Sequence, residues 1–139
     1  MVEVVITDEV IEGDLAELRE RLIEFNVAAT GYGDGRSLAC YIRDDNGELI
    51  AGLDGFTWGG YAKIEWLWIS EHLRGQGLGR RIIEAVEAEA IRRGCGTIRV
   101  DTHAFQAPDF YRSLGYEEIG FHADTPVGFG EWMLAKRLR

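Results

Sequence analysis

"EWLWISEHLRGQGLGRRIIEAVEAEAIRRGC" runs from Glu65 to Cys95 and decides the fold. Its first part is apolar and rich in aromatics, as strands are. Its last part places Ile82, Ile83, Val86, Ala90 and Ile91 on or near one face of a helix, with Glu84, Glu87 and Arg92 elsewhere. Between them stands "RGQGLG", Arg74–Gly79. Glycine costs a helix about 1 kcal/mol relative to alanine, so three glycines at a helix mouth call for a reason. A helix start leaves about four N–H groups without partners and carries about half a positive charge. Glycines let a bulky anion reach that backbone, since no Cβ intervenes. The loop reads as a phosphate cradle. It is not a Walker loop, because Gly79 is followed by Arg80 rather than Lys-Ser/Thr. Nor is it a dinucleotide fingerprint, whose third glycine would fall on Arg80 or Ile82.

Outward from this stretch the chain divides into short elements. "VEVVIT" (Val2–Thr7) reads as a first strand. Asp14 reads as the N-cap of a helix whose apolar stripe is Leu15, Leu18, Leu22 and Phe25. Three strands follow: "RSLACYIRD", "ELIAGLDGFTWG" and "YAKIEWLWIS", joined by "DNG" (Asp45–Gly47) and by Gly59–Gly60. After the long helix, Gly94 is its C-cap, "TIRVDT" (Thr97–Thr102) is a strand, and Pro108 opens a short helix stopped by Gly115. "YEEIGF" and "EWMLAKRL" close the chain as strands. The expected fold is α/β: a single mixed, mostly antiparallel sheet flanked by helices, in one domain spanning residues 1–139.

Composition narrows the function. Apolar residues make up 46% and charged residues 28%, the balance of a globular rather than a disordered chain. No run of 18 apolar residues exists, so no membrane span is expected, and no secretory signal is legible. The net charge of −9 comes without a sizeable basic cluster, which argues against nucleic acid as a partner. Cys40 and Cys95 read as small buried side chains in a reducing cytoplasm. His72, His103 and His122 lack ligand spacing, so no metal is expected.

"RGQGLG", with Arg74, Gly77 and Gly79 as anchors, resembles the Arg/Gln-x-x-Gly-x-Gly/Ala loop of the GCN5-related N-acetyltransferases. "FYRSLGY" (Phe110–Tyr116) resembles that family's later F-Y-x-x-x-G-F/Y segment, and "THAFQAPDFYRSLGYEEIG" is similar to a bacterial subgroup with an F-Q-A-P-x-F-Y segment. The resemblance is good from Glu65 to about Phe121. It implies acetyl-coenzyme A as co-substrate, its pyrophosphate held by the loop through Arg74, Gly75, Gln76, Gly77, Leu78, Gly79 and Arg80. It implies that Leu67, Trp68 and Ile69 lie where the strand splays from a parallel neighbour and pairs with the pantetheine arm. It puts Tyr111 near the coenzyme sulfur, as the acid that protonates the leaving thiolate. Many members have an Asn seven residues before that Tyr; here it is Ala104, and Gln106 is the candidate to supply the missing cofactor contact.

The implied reaction is direct transfer of acetyl to an amine, which must first lose a proton. Glu65 is the candidate base. By alternation Glu65, Leu67 and Ile69 share one face, and Ile64, Trp66 and Trp68 the other. A carboxylate buried in that apolar row would suit a base; a Glu facing solvent would not. His103 is the rival. Phe56, Trp58, Trp66 and Trp68 either line a pocket or pack the core. A small-molecule amine is expected as acceptor rather than a protein terminus, because no peptide-binding feature is legible, and the resemblance further implies a homodimer formed through the last strands. The competing reading is a non-catalytic acyl-coenzyme A-binding sensor or partner-binding module, which needs the cradle but not Tyr111.

Overall fold

A computed structural model describes residues 1–139, which fall into two units, Met1–Gly33 and Asp34–Arg139. The first unit is mainly one helix, α1 (Glu12–Thr30). Its ladder starts with the Leu15 N–H donating to the Ile11 carbonyl, and Gly31, at φ 79°, ends it. Ile11 is the N-cap, and Asp14 lies in the first turn, where its charge favours the helix dipole without capping it. The apolar stripe buries no residue. Val2–Thr7 form no strand. β-branched residues suit a strand only when a neighbour supplies the ladder, so the expectation from composition fails there.

The second unit opens with a meander: β1 (Arg36–Arg43), β2 (Leu49–Trp58) and β3 (Tyr61–Ile69). The first hairpin closes on Asp44, whose Oδ1 accepts from Asn46 and Glu48 N–H. A 3₁₀ turn (Glu71–Leu73) leads to α2 (Leu78–Arg92), β4 (Thr97–His103), α3 (Pro108–Ser113), β5 (Glu117–Ala123) and β6 (Gly130–Arg137). The sheet order is β1-β2-β3-β4-β6-β5, and only β3 and β4 are parallel. This is the expected mixed, mostly antiparallel sheet. β6 lies between β4 and β5, so β5 is the outer strand on that side.

The core forms where α2 covers the sheet: Ile82, Ile83, Val86 and Ala90 pack with Leu53, Ile64, Ile98 and Leu134. Ile91 is left exposed, and Glu87, expected off the apolar stripe, is buried instead. Lys136 Nζ and the Tyr116 hydroxyl each stand 3.0 Å from its carboxylate, which is what lets a charge sit there. Arg93 pins the far end of α2 by donating to the Ser37 carbonyl and Thr57 Oγ1. Gly94, at φ 88°, completes the stop: its N–H reaches Ile91, and the Cys95 N–H reaches Ala90. Cys95 is buried, which pushes its thiol up, the behaviour of a core residue rather than a nucleophile.

One irregularity shapes everything near the cleft. Gly55 pairs with Ile64 and Asp54 pairs with Trp66, so Glu65 is an extra residue in β3, a bulge. Alternation therefore changes phase at Glu65. Ala62, Ile64, Leu67 and Ile69 join the core, while Trp66 and Trp68 are exposed. The uninterrupted alternation that grouped Ile64 with the tryptophans, and Glu65 with Leu67, does not hold. Gly55 permits the bulge, because a Cβ there would overlap the Lys63 carbonyl oxygen. Gly55→Ala should destabilise the fold by about 1–3 kcal/mol, the range for overpacking. Gly96→Ala, which meets nothing within 4 Å, should stay within about 0.5 kcal/mol of wild type. Urea unfolding of the two variants checks this, and equal stabilities would remove the steric account of the bulge.

Candidate active site

The parallel ladder between β3 and β4 runs only from Tyr61↔Thr97 to Ile64↔Val100. Beyond the bulge the two strands separate, although β4 stays paired with β6 as far as His103↔Glu131. The gap is a cleft of about 930 Å³. One wall is β3 from Lys63 to Ile69, and the other is β4 from Val100 to His103 with α3 behind it.

At one end of the cleft lies the glycine loop. Gly75 (φ 74°) and Gly77 (φ 81°) both hold the left-handed conformation that glycine tolerates best. Gly77 is also the N-cap of α2, with no side-chain cap on the N–H groups that follow. A Cβ on either glycine would meet nothing within 4 Å, so both face open space. Gly79 differs: a Cβ there would lie 3.0 Å from Phe110 and 3.1 Å from Ile69, so it sets the close approach of α2 to the cleft walls. Arg74 Nε donates to the Ile69 carbonyl at 2.9 Å, tying the loop to the end of β3. Arg74 and Arg80 line this end and give it positive charge.

Of the residues singled out from the sequence, Leu67, Trp68, Ile69, Leu78, Gln106 and Tyr111 join the loop residues in lining this one cleft. Gln76 does not, since its side-chain amide donates to the His72 carbonyl. Gln106 closes the end of β4: its Oε1 accepts from the His103 N–H at 2.8 Å, so that oxygen is committed to the protein. Trp66 and Trp68 also line the cleft, whereas Phe56 and Trp58 pack edge-on against Tyr61. Glu65 lines the cleft from the bulge and is exposed rather than buried among apolar neighbours.

Tyr111 is 4% exposed and sits edge-on between Phe110 and Tyr116. Burial pushes its phenol well above the ordinary value, because a tyrosinate there would lose its hydration. Residues not legible as site residues from the sequence also appear: Asp101, Phe105 and Glu131. Glu131 reaches the cleft only because the β4–β6 register sets it opposite His103, and no local pattern encodes a cross-strand register of that range. The groups present can hold an extended ligand between two strands, its anionic end at the glycine loop.

The sequence pattern of the acetyltransferase (GNAT) family matches residues 8–116. An acetyltransferase of Agrobacterium fabrum is 34% identical over 120 residues, covering 86% of this chain and 88% of that protein. The blasticidin-S acetyltransferase of Streptomyces morookaense is 38% identical over 101 residues, covering 72% and 74%. The crystal structure of an acetyltransferase from Bacillus cereus superposes with a TM-score of 0.80 at 26% identity and 97% coverage of both chains. The chain belongs to the GNAT family of acetyltransferases, whose members use acyl-coenzyme A.

The buried phenols carry a pH consequence. Tyr116 is raised like Tyr111, by burial first and then by the Glu87 charge and hydrogen bond. A raised phenol keeps its proton in the folded state after the unfolded chain has lost its own, so its contribution is complete below pH ~10 and is lost as pH rises further. Stability should therefore fall above pH ~10, by up to about 1.4 kcal/mol per pH unit for each phenol. Tyr111→Phe and Tyr116→Phe should each flatten that fall in denaturant titrations. An unchanged slope in both would contradict the assignment.

Proposed function

We propose that the chain transfers the acetyl group of acetyl-coenzyme A directly to the amine of a small molecule. The observation that carries this reading is that the Arg74–Arg80 loop, Tyr111, Glu65, His103 and Glu131 all line one cleft. The pyrophosphate suits the loop, where uncapped N–H groups and two arginines stand together. The pantetheine arm suits the splayed strands at Leu67, Trp68 and Ile69, whose backbone can bond to it as to a neighbouring strand. Gln106 borders this path.

In the transfer the neutral amine attacks the thioester carbonyl, the C–S bond breaks, and sulfur leaves with the electron pair. Tyr111 supplies the proton to that sulfur. Its raised pKa keeps the proton in place until a thiolate forms, and the dry surroundings that penalise a tyrosinate penalise the thiolate too. Glu65 and His103 are the two groups foreseen for the amine's proton. A small-molecule acceptor is supported by the blasticidin-S acetyltransferase, whose name specifies one. Two free cysteines suit the cytoplasm, and a homodimer built on this end of the sheet would use β5, since β6 is interior.

Two variants test the cradle. Acetyl-coenzyme A at a hundredfold excess over Kd should stabilise the fold by about 2.7 kcal/mol, read as a rise in Tm. Gly77→Val strains a positive φ and projects into the cleft, so it should abolish the rise. Gly47→Val strains the same conformation (φ 81°) in the β1–β2 hairpin, so it should lower Tm but keep the rise. A full rise in Gly77→Val would contradict the cradle.

Tyr111→Phe should lower kcat by about 10²–10⁴-fold with little change in the Michaelis constant, as loss of a proton donor does. Release of free thiol from acetyl-coenzyme A with an amine panel measures it. Wild-type turnover in the variant would remove Tyr111 from the chemistry. Binding without turnover, by any amine, would favour the acyl-coenzyme A-binding module.

A further inference from the structure

His103 ends β4 and Glu131 stands in β6, and the antiparallel register sets them opposite each other. His103 Nδ1 is 2.7 Å from the Thr125 carbonyl oxygen. A carbonyl only accepts, so Nδ1 carries the hydrogen and Nε2 is the nitrogen able to take another proton. Nε2 lies 3.4 Å from Glu131 Oε2. Phe105 stacks on the imidazole, with ring centres 5.2 Å apart and planes 1° from parallel, and Phe129 packs edge-on against Phe105. The imidazole is thus held from two sides. Its side chain is 31% exposed and that of Glu131 28%, and both line the cleft. Such a pair is fixed by its neighbours yet open to a ligand.

We propose that Glu131 and His103 work as one proton-accepting pair for the acceptor amine: Glu131 holds the incoming ammonium, and His103 Nε2 removes its proton. This rests on the acetyl-transfer reading above and assigns the base that reading leaves between Glu65 and His103. An N–H bond of the ammonium breaks, its electron pair stays on the amine nitrogen, and an Nε2–H bond forms. The imidazolium is then flanked by the Thr125 carbonyl and the Glu131 carboxylate, which stabilise its charge. The amine attacks the thioester carbon, sulfur leaves with the C–S pair and takes the Tyr111 proton, the acylated nitrogen sheds its second proton, which restores the Tyr111 phenol, and His103 returns its own proton to water. The other charged groups nearby are accounted for. Asp101, also on β4, is 3.7 Å from Lys63 and 3.8 Å from Arg99. His122 on β5 is the register partner of Glu131 on its other side. Glu65 is exposed on the bulge.

The test compares two acceptors: a primary alkylamine, protonated at neutral pH, and an arylamine, neutral there. Only the first needs a base. His103→Gln and Glu131→Gln should each lose about 10²–10⁴-fold in kcat/KM with the alkylamine, and should keep most of their rate with the arylamine. The double variant should be no worse than the worse single one, since the two act as a unit. Both should keep the acetyl-coenzyme A thermal shift, which shows an intact cleft; His103→Asn replaces His103→Gln if the latter fails to fold. Equal losses with both acceptors would make the pair structural and overturn the proposal. So would loss in Glu65→Gln with both pair variants behaving as wild type. Wild-type protein inert towards every amine would overturn the acetyl-transfer reading together with the pair.

Discussion

The parallel ladder between β3 and β4 ends at Ile64↔Val100, and the site exists because it ends there. Two strands that stayed paired would leave no room between them. The cause is local and steric. Glu65 is one residue too many for β2 to pair, and Gly55 is the residue on the partner strand that lets the backbone accommodate it. A bulge bends its strand and increases its twist. β4 cannot follow, because β6 holds it in register as far as His103. The cleft is the difference between a strand that bends and one that is held.

The same bulge sorts the side chains. Before it, Ala62 and Ile64 face the core; after it, Leu67 and Ile69 do, and the tryptophans are turned outward. Ile69 and Phe110 then close on Gly79, which brings the start of α2 to the cleft wall. α2 is fixed at its far end by Arg93 and the Gly94 stop. The glycine loop therefore occupies a defined place relative to Tyr111, whose own helix is stopped by Gly115 at φ 93°. The glycine loop and Tyr111 thus share a cleft that one backbone irregularity opens.

Much of this was legible in the chain. The glycine loop, the amphipathic α2, the meander and the Gly94 and Gly115 stops are all written in local patterns that short-range physics obeys. What was not legible is long-range. The phase change at Glu65 depends on Gly55 in another strand, so alternation read along β3 alone put Ile64 and Trp66 together. Glu87 looked like a solvent-facing residue until Tyr116 and Lys136 supplied its partners. Glu131 has no local signature at all and acquires its place from the β4–β6 register. Val2–Thr7 erred the other way: strong strand propensity without a ladder.

The central claim is that the gap between β3 and β4 is where acyl-coenzyme A lies. A crystal structure with bound acetyl-coenzyme A tests it most directly. The account predicts the pyrophosphate against the Arg74–Arg80 amides, the pantetheine arm bonded to the β3 backbone at Leu67–Ile69, and the sulfur beside the Tyr111 hydroxyl. A coenzyme bound elsewhere, or lying in the cleft with its sulfur remote from Tyr111, would contradict it.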